Sequence, residues 1–114
     1  MNNINDVGDV RRRITELATR AEAIVEAAEV NAADGRWAMT AFSRYRVCEL
    51  LGILPYVRYD GALDADPAAL YEEAIEALND LDVPIEDVGW RLALGDALRS
   101  AAADVRRVRD ARDV

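Results

Sequence analysis

The chain of 114 residues contains no histidine and no lysine, and it has a single cysteine, Cys48. Without histidine, the usual zinc and haem ligands and the commonest catalytic base are missing. A lone cysteine excludes an internal disulfide and favours a reducing compartment. The first 30 residues contain charged side chains in place of an apolar leader, and no apolar run reaches the roughly 20 residues of a membrane span. We therefore expect a cytoplasmic protein that uses no membrane, metal or cofactor.

All 14 basic residues are arginine, and 21 residues are alanine. With aspartate exceeding glutamate, this composition is typical of a GC-rich genome, such as that of an actinobacterium or its phage, or of a salt-adapted one. Abundant alanine, with few aromatic and β-branched residues, favours closely packed helices over a β-sandwich. The length fits one core, so we interpret residues 1–114 as a single helical domain.

Apolar residues recur at spacings of three and four in four segments, which predicts four amphipathic helices. The predicted helices cover about residues 9–30, 36–51, 67–81 and 84–109. Asp66 and Pro67 form the expected start of the third helix, and Gly52 is placed to end the second in a left-handed conformation. Residues 53–60 lack a strand partner, so we expect an irregular segment against the helices. The predicted fold is all-α, a small bundle of about four helices, complete in one chain or completed by dimerisation.

The net charge of −8 is unevenly distributed along the chain. Residues 60–96 carry −10, whereas residues 35–59 carry +3. An acidic segment repels phosphate, so nucleic acid is not the expected partner of the third helix. Its acidic surface is formed by Glu72, Glu73, Glu76 and Asp80. This surface is either a solvated face that keeps the protein soluble, or a recognition surface for a basic protein, including a mimic of a DNA strand.

The basic segment also holds five of the seven aromatic residues. Aromatic residues and arginine together are typical of binding hot spots. The alternative places Trp37, Phe42 and Tyr45 in the core and pairs the arginines with the acidic third helix. The predicted partner-binding residues are Arg36, Trp37, Arg44, Tyr45, Tyr56, Arg58 and Tyr59. The leading hypothesis is therefore a non-enzymatic module that binds another protein and self-associates as a homodimer.

A second hypothesis is enzymatic and rests on the sequence Glu72-Glu73-x-x-Glu76. Carboxylates three and four residues apart share one helix face and can hold Mg²⁺ through oxygen ligands. The pattern resembles the first half of the EExxE…ExxD motif of the MazG-like nucleoside triphosphate pyrophosphohydrolases, which are helical bundles. The resemblance implies a Mg²⁺-dependent hydrolase. No ExxD follows in this chain, and no lysine is present to neutralise a triphosphate.

A third hypothesis is a transcriptional regulator that contacts or mimics DNA. Residues 48–59, CELLGILPYVRY, resemble the turn and second helix of MerR-type helix-turn-helix domains. The resemblance implies direct contact with DNA. A recognition helix needs several side chains that read bases, and this stretch offers only Arg58 and two tyrosines, with Pro55 near the start of the helix.

Overall fold

The computed structural model describes residues 7–32, 34–55 and 59–111, and this part of the chain forms four α-helices and no strand. The helices are α1 (Val7–Asn31), α2 (Ala41–Leu51), α3 (Pro67–Asn79) and α4 (Val88–Ala111). Short 3₁₀ turns at Arg36–Thr40 and Ile85–Asp87 lead directly into α2 and α4. The predicted all-α class and the four helices are confirmed. The second predicted helix begins as a 3₁₀ turn and becomes α-helical at Ala41.

Several helix ends follow from local sequence. The Asp66 carboxylate accepts a hydrogen bond from the backbone N–H of Ala68 at 3.1 Å and so caps the start of α3. Gly52 ends α2 with φ at 73°, in the left-handed region that glycine adopts without a steric penalty. Gly35, at φ 68°, forms the turn that follows α1. The third helix ends at Asn79, two residues earlier than the sequence predicts.

Each helix packs on two neighbours. Helix α3 contacts α1 and α4, and α2 contacts α4 and α1 on the other side of the bundle. The core is formed by apolar residues of all four helices, among them Ile14, Val25, Val47, Tyr71, Leu78, Leu94, Leu98 and Val105. Within residues 7–32, 34–55 and 59–111, none of the helices combines the length and apolar character that a membrane crossing requires.

Helix α2 runs antiparallel to α4. The Trp90 indole N–H near the start of α4 donates to the Leu50 carbonyl at 2.8 Å, near the end of α2. The Ser43 hydroxyl near the start of α2 donates to the Asp104 carboxylate at 2.7 Å, in the second half of α4. These two bonds fix the register of α2 along α4.

The segment between α2 and α3 is irregular where the structure describes it. Residues 52–55 and 59–66 contain neither helix nor strand, as the sequence predicts, and Ile53 packs against the core. The second helix implied by the resemblance to helix-turn-helix domains is therefore missing from these residues.

Candidate functional site

Helix α2 and the 3₁₀ turn before it bury a charge and expose apolar side chains. Arg44 is 0% exposed, whereas Phe42 is 89% and Met39 is 72% exposed. Because residues two apart on a helix point about 200° away from each other, burying Arg44 forces Phe42 outward. The structure thus corrects two expectations: Arg44 offers no surface to a partner, and Phe42 is not a core residue.

Arg44 is held by polar groups from α1 and from the 3₁₀ turn. Its Nη1 donates to Glu22 Oε2 at 2.6 Å, and its Nε donates to Thr40 Oγ1 at 2.7 Å. The Glu29 carboxylate lies 3.7 Å from Nη2, and the Tyr45 ring centroid lies 5.3 Å from the guanidinium carbon. A charge removed from water needs a partner of opposite charge and satisfied hydrogen bonds. We name Glu22, Thr40 and Arg44 the buried ion-pair cluster.

Among the described residues, no hydrogen-bond partner is found for two atoms of the buried ion-pair cluster, Glu22 Oε1 and Arg44 Nη2. Burial raises the pKa of Glu22 from 4.5 to about 7, and the neighbouring Glu26 carboxyl acts in the same direction, against Arg44. Burial lowers the pKa of Arg44, but the charge and hydrogen bond of Glu22 outweigh it, so the net shift is upward. Arg44 therefore stays charged, and Glu22 titrates near neutral pH.

The side chains beside the buried ion-pair cluster are not activated for catalysis. Burial and the charge of Glu22 raise the pKa of the Cys48 thiol to about 12. The same two causes raise the pKa of the buried Tyr71 hydroxyl far above its ordinary value. A nucleophilic cysteine needs a lowered pKa, so the Cys48 thiol is not activated.

The exposed side of α2 borders an open groove against α4, which we call the α2–α4 groove. The name covers two depressions with separate linings along α4, with volumes of about 370 and 330 Å³. From the chain before α4 it is lined by Asp34, Arg36, Met39, Phe42, Ser43 and Arg46. From α4 it is lined by Ala93, Asp96, Ala97, Ser100, Asp104, Arg107, Val108 and Ala111. Ser43 of one depression donates a hydrogen bond to Asp104 of the other.

The α4 wall of the α2–α4 groove is a single helical stripe. Its residues recur at spacings of three and four from Ala93 to Ala111, a length of about 27 Å. Four of the eight are alanine or serine, and small side chains let another chain approach the backbone of a helix closely.

The α2–α4 groove is electrically balanced. Its lining contains three arginines and three aspartates, although the whole chain carries −8. Arg36 pairs with Asp34 at 2.6 Å, and Arg107 pairs with Asp104 at 2.9 Å. The hydrogen bonds from Arg36 lower the pKa of Asp34 to about 2, so this carboxylate is ionised at neutral pH. The groove therefore lacks the acidic excess of the rest of the molecule.

The other predicted partner-binding residues are scattered by the fold. Arg36 lines the α2–α4 groove, and Trp37 is half-buried against the core beside it. Tyr45 is half-buried next to Arg44, and Tyr59 lies against α1. Tyr56 and Arg58 lie outside the described residues. Of the five predicted residues that the structure describes, only Arg36 therefore lines the groove.

Sequence reasoning missed Met39 as a surface residue and missed the α4 wall of the groove. The apolar spacing of the second segment predicts a stripe from Ala38 through Ala41, Tyr45 and Cys48 to Leu51. Cys48 and Leu51 are buried as predicted, whereas the other buried positions are Thr40, Ser43, Arg44 and Val47. The buried positions also have helical spacing. Because Thr40, Ser43 and Arg44 are polar, the spacing of apolar residues did not reveal this face.

The predicted acidic surface on α3 is exposed, as Glu72, Glu73, Glu76 and Asp80 all face solvent. Arg106 of α4 forms an ion pair with Glu72, and Arg109 pairs with Asp66 at 2.7 Å. Among the residues that the structure describes, no group of three or more His, Cys, Asp or Glu is arranged to hold a metal ion. No observation therefore favours the Mg²⁺-dependent alternative.

Comparison with known proteins gives no match for this chain. No protein-family model, no curated protein and no solved structure is similar enough to assign a family. The α2–α4 groove and the two large apolar side chains at its edge are therefore the observations from which a function is proposed.

Proposed function

We propose that this chain is a non-enzymatic interaction module that binds another protein chain through the α2–α4 groove. The observation that supports this proposal is Phe42, the one phenylalanine of the chain, which is 89% exposed at the edge of the groove. Leaving such a side chain in water forgoes roughly 2 kcal/mol of burial. Met39, one turn earlier, extends the same apolar surface, and exposed apolar surface beside a groove is typical of a binding site.

The buried ion-pair cluster supports the proposal from the other side of α2. Rotating α2 to bury Phe42 would carry Arg44 away from Glu22, and an unpaired buried carboxylate is costly. The orientation of α2 therefore does not depend on a partner, and Phe42 stays available for binding in the free chain.

A role without catalysis in the cytoplasm fits the rest of the molecule. Cys48 and Tyr71 are buried and their pKa values are raised, so both stay protonated at neutral pH. Cys48 is a free cysteine, which a reducing compartment preserves.

Site-specific photo-crosslinking tests the proposal. The photoreactive residue p-benzoylphenylalanine replaces Phe42 in one sample and Ile85 in the control, because Ile85 is equally exposed at 88% and lies outside the groove. Position 42 is expected to give discrete crosslinked protein products, which the additional substitution Met39→Asp diminishes. Equal yields from the two positions, or no product from either, would overturn the proposal.

A further inference from the structure

We infer that the partner in the α2–α4 groove is a second copy of this chain, paired through antiparallel α4 helices so that Asp96 of each copy meets Arg107 of the other. This inference rests on the proposed function and specifies its partner. Two chains of charge −8 repel each other over most of their surface, and the repulsion is weakest where the local charge is balanced. The α2–α4 groove, with three arginines and three aspartates, is such a region.

The order of charges along α4 determines the direction of pairing. Asp96 and Arg107 are eleven residues apart, which is close to three helical turns, so both lie on the groove side of α4 about 16 Å apart. In a two-fold symmetric pair, each contact occurs twice with the roles exchanged. An antiparallel pair centred between residues 101 and 102 places Asp96 opposite Arg107 of the partner subunit in both copies. A parallel pair would place like charges together.

The contact between the two charged ends is suited to close approach. Between Asp96 and Arg107 the α4 stripe carries Ala97, Ser100 and Asp104, of which the first two present little bulk. Phe42 and Met39 lie at the edge of each groove, where they gain apolar contacts when the second copy covers them.

The ion pairs that Asp96 and Arg107 form within their own chain do not prevent them from pairing with a second copy. Asp96 pairs with Arg99 at 2.6 Å, and Arg107 pairs with Asp104 at 2.9 Å, all within α4. Ion pairs between exposed side chains contribute little free energy. Contacts with a second copy can therefore replace or supplement them.

Charge reversal followed by mixing tests the inference. The variants D96R and R107D each bring like charges together in their own dimers, so each is expected to associate about a hundredfold more weakly than the wild type in sedimentation velocity. An equimolar mixture of the two is expected to restore the dimer, because the D96R chain offers two arginines to the two aspartates of the R107D chain. Asp80→Arg, directly after α3, and Arg12→Asp on α1 make the same changes in net charge outside the groove, and both variants are expected to dimerise like the wild type.

Three outcomes overturn the inference. They are a wild-type chain that stays monomeric at its highest soluble concentration, variants that dimerise like the wild type, and a mixture that does not recover. If the chain is monomeric but position 42 still crosslinks to other proteins, the partner is not a second copy of this chain. The proposed function then stands. If position 42 gives no crosslink, the proposed function fails as well.

Discussion

Helix α2 buries Arg44 and exposes Phe42, whereas its neighbour α4 buries Leu94, Leu98 and Val105 and buries none of its charged side chains. Apolar burial contributes to the position of both helices, since α2 buries Val47 and Leu51, but α2 is also held by a buried charge. Helix α4 follows the usual rule, because burying its apolar stripe removes that surface from water without demanding a particular geometry. Helix α2 is oriented by directional hydrogen bonds from Arg44 to Glu22 and Thr40. The difference leaves apolar surface outside, where it can serve binding.

Breaking the ion pair is expected to have the largest effect. Arg44→Ala leaves Glu22 buried without its cation, so the free energy of unfolding should fall by about 3–5 kcal/mol in urea denaturation. The matched control is the double variant Glu22→Leu with Arg44→Met, which removes both charges and should recover most of the loss. A loss below about 1 kcal/mol in the single variant would show that the pair does not hold α2 in place.

Titration of Glu22 should make the free energy of unfolding depend on pH. The pKa of Glu22 is about 7 in the folded chain and 4.5 when unperturbed, so between these values the folded state binds more protons than the unfolded state. The contribution of Glu22 to the free energy of unfolding is therefore greatest below pH 4.5. It falls by at most about 3 kcal/mol as the pH rises through 7.

The control for this pH dependence is Glu22→Gln, which cannot titrate. The difference between the unfolding free energies of the wild type and this variant, measured across the same interval, isolates Glu22 from the other carboxyl groups. Parallel curves for the two proteins would contradict the raised pKa of Glu22.

Much of the fold, but not the orientation of α2, follows from local sequence. The start of α3 at Asp66 and the end of α2 at Gly52 depend on neighbouring residues and are confirmed. Arg44 meets Glu22 across 22 positions of sequence, and no local spacing signals such a pair. Because this pair could not be predicted from local spacing, the exposure of Phe42 and the position of the α2–α4 groove could not be predicted either.

Loss of the hydrogen bond between Ser43 of α2 and Asp104 of α4 should have an intermediate effect on the free energy of unfolding. Ser43→Ala removes the hydroxyl that donates to Asp104, and we expect a loss of about 1–2 kcal/mol in the free energy of unfolding. Ser100→Ala is the control, because Ser100 is exposed in the same groove and its loss should cost less than about 0.5 kcal/mol. Equal effects of the two substitutions would argue against the bond.

The smallest effect on the free energy of unfolding is expected for a substitution on the exposed side of α2. Phe42→Ser should change the unfolding free energy of the monomer by less than about 0.5 kcal/mol, because the ring has few contacts to lose. On α4, Leu98→Ala should cost about 2–5 kcal/mol, because Leu98 is fully buried. Similar losses for the two substitutions would remove the contrast between the helices.

Fluorine NMR of Phe42 is the most direct measurement of exposure and self-association together. Because the chain has one phenylalanine, 4-fluorophenylalanine labelling gives a single reporter at the edge of the α2–α4 groove. In dilute solution its resonance should show the solvent isotope shift of a ring in water, and this shift should diminish as the protein concentration rises and a second copy covers the ring. The R107D variant should keep the exposed resonance at all concentrations. A ring shielded from solvent at every dilution would contradict the exposed position of Phe42 on α2. A resonance that never changes with concentration would contradict pairing through the groove.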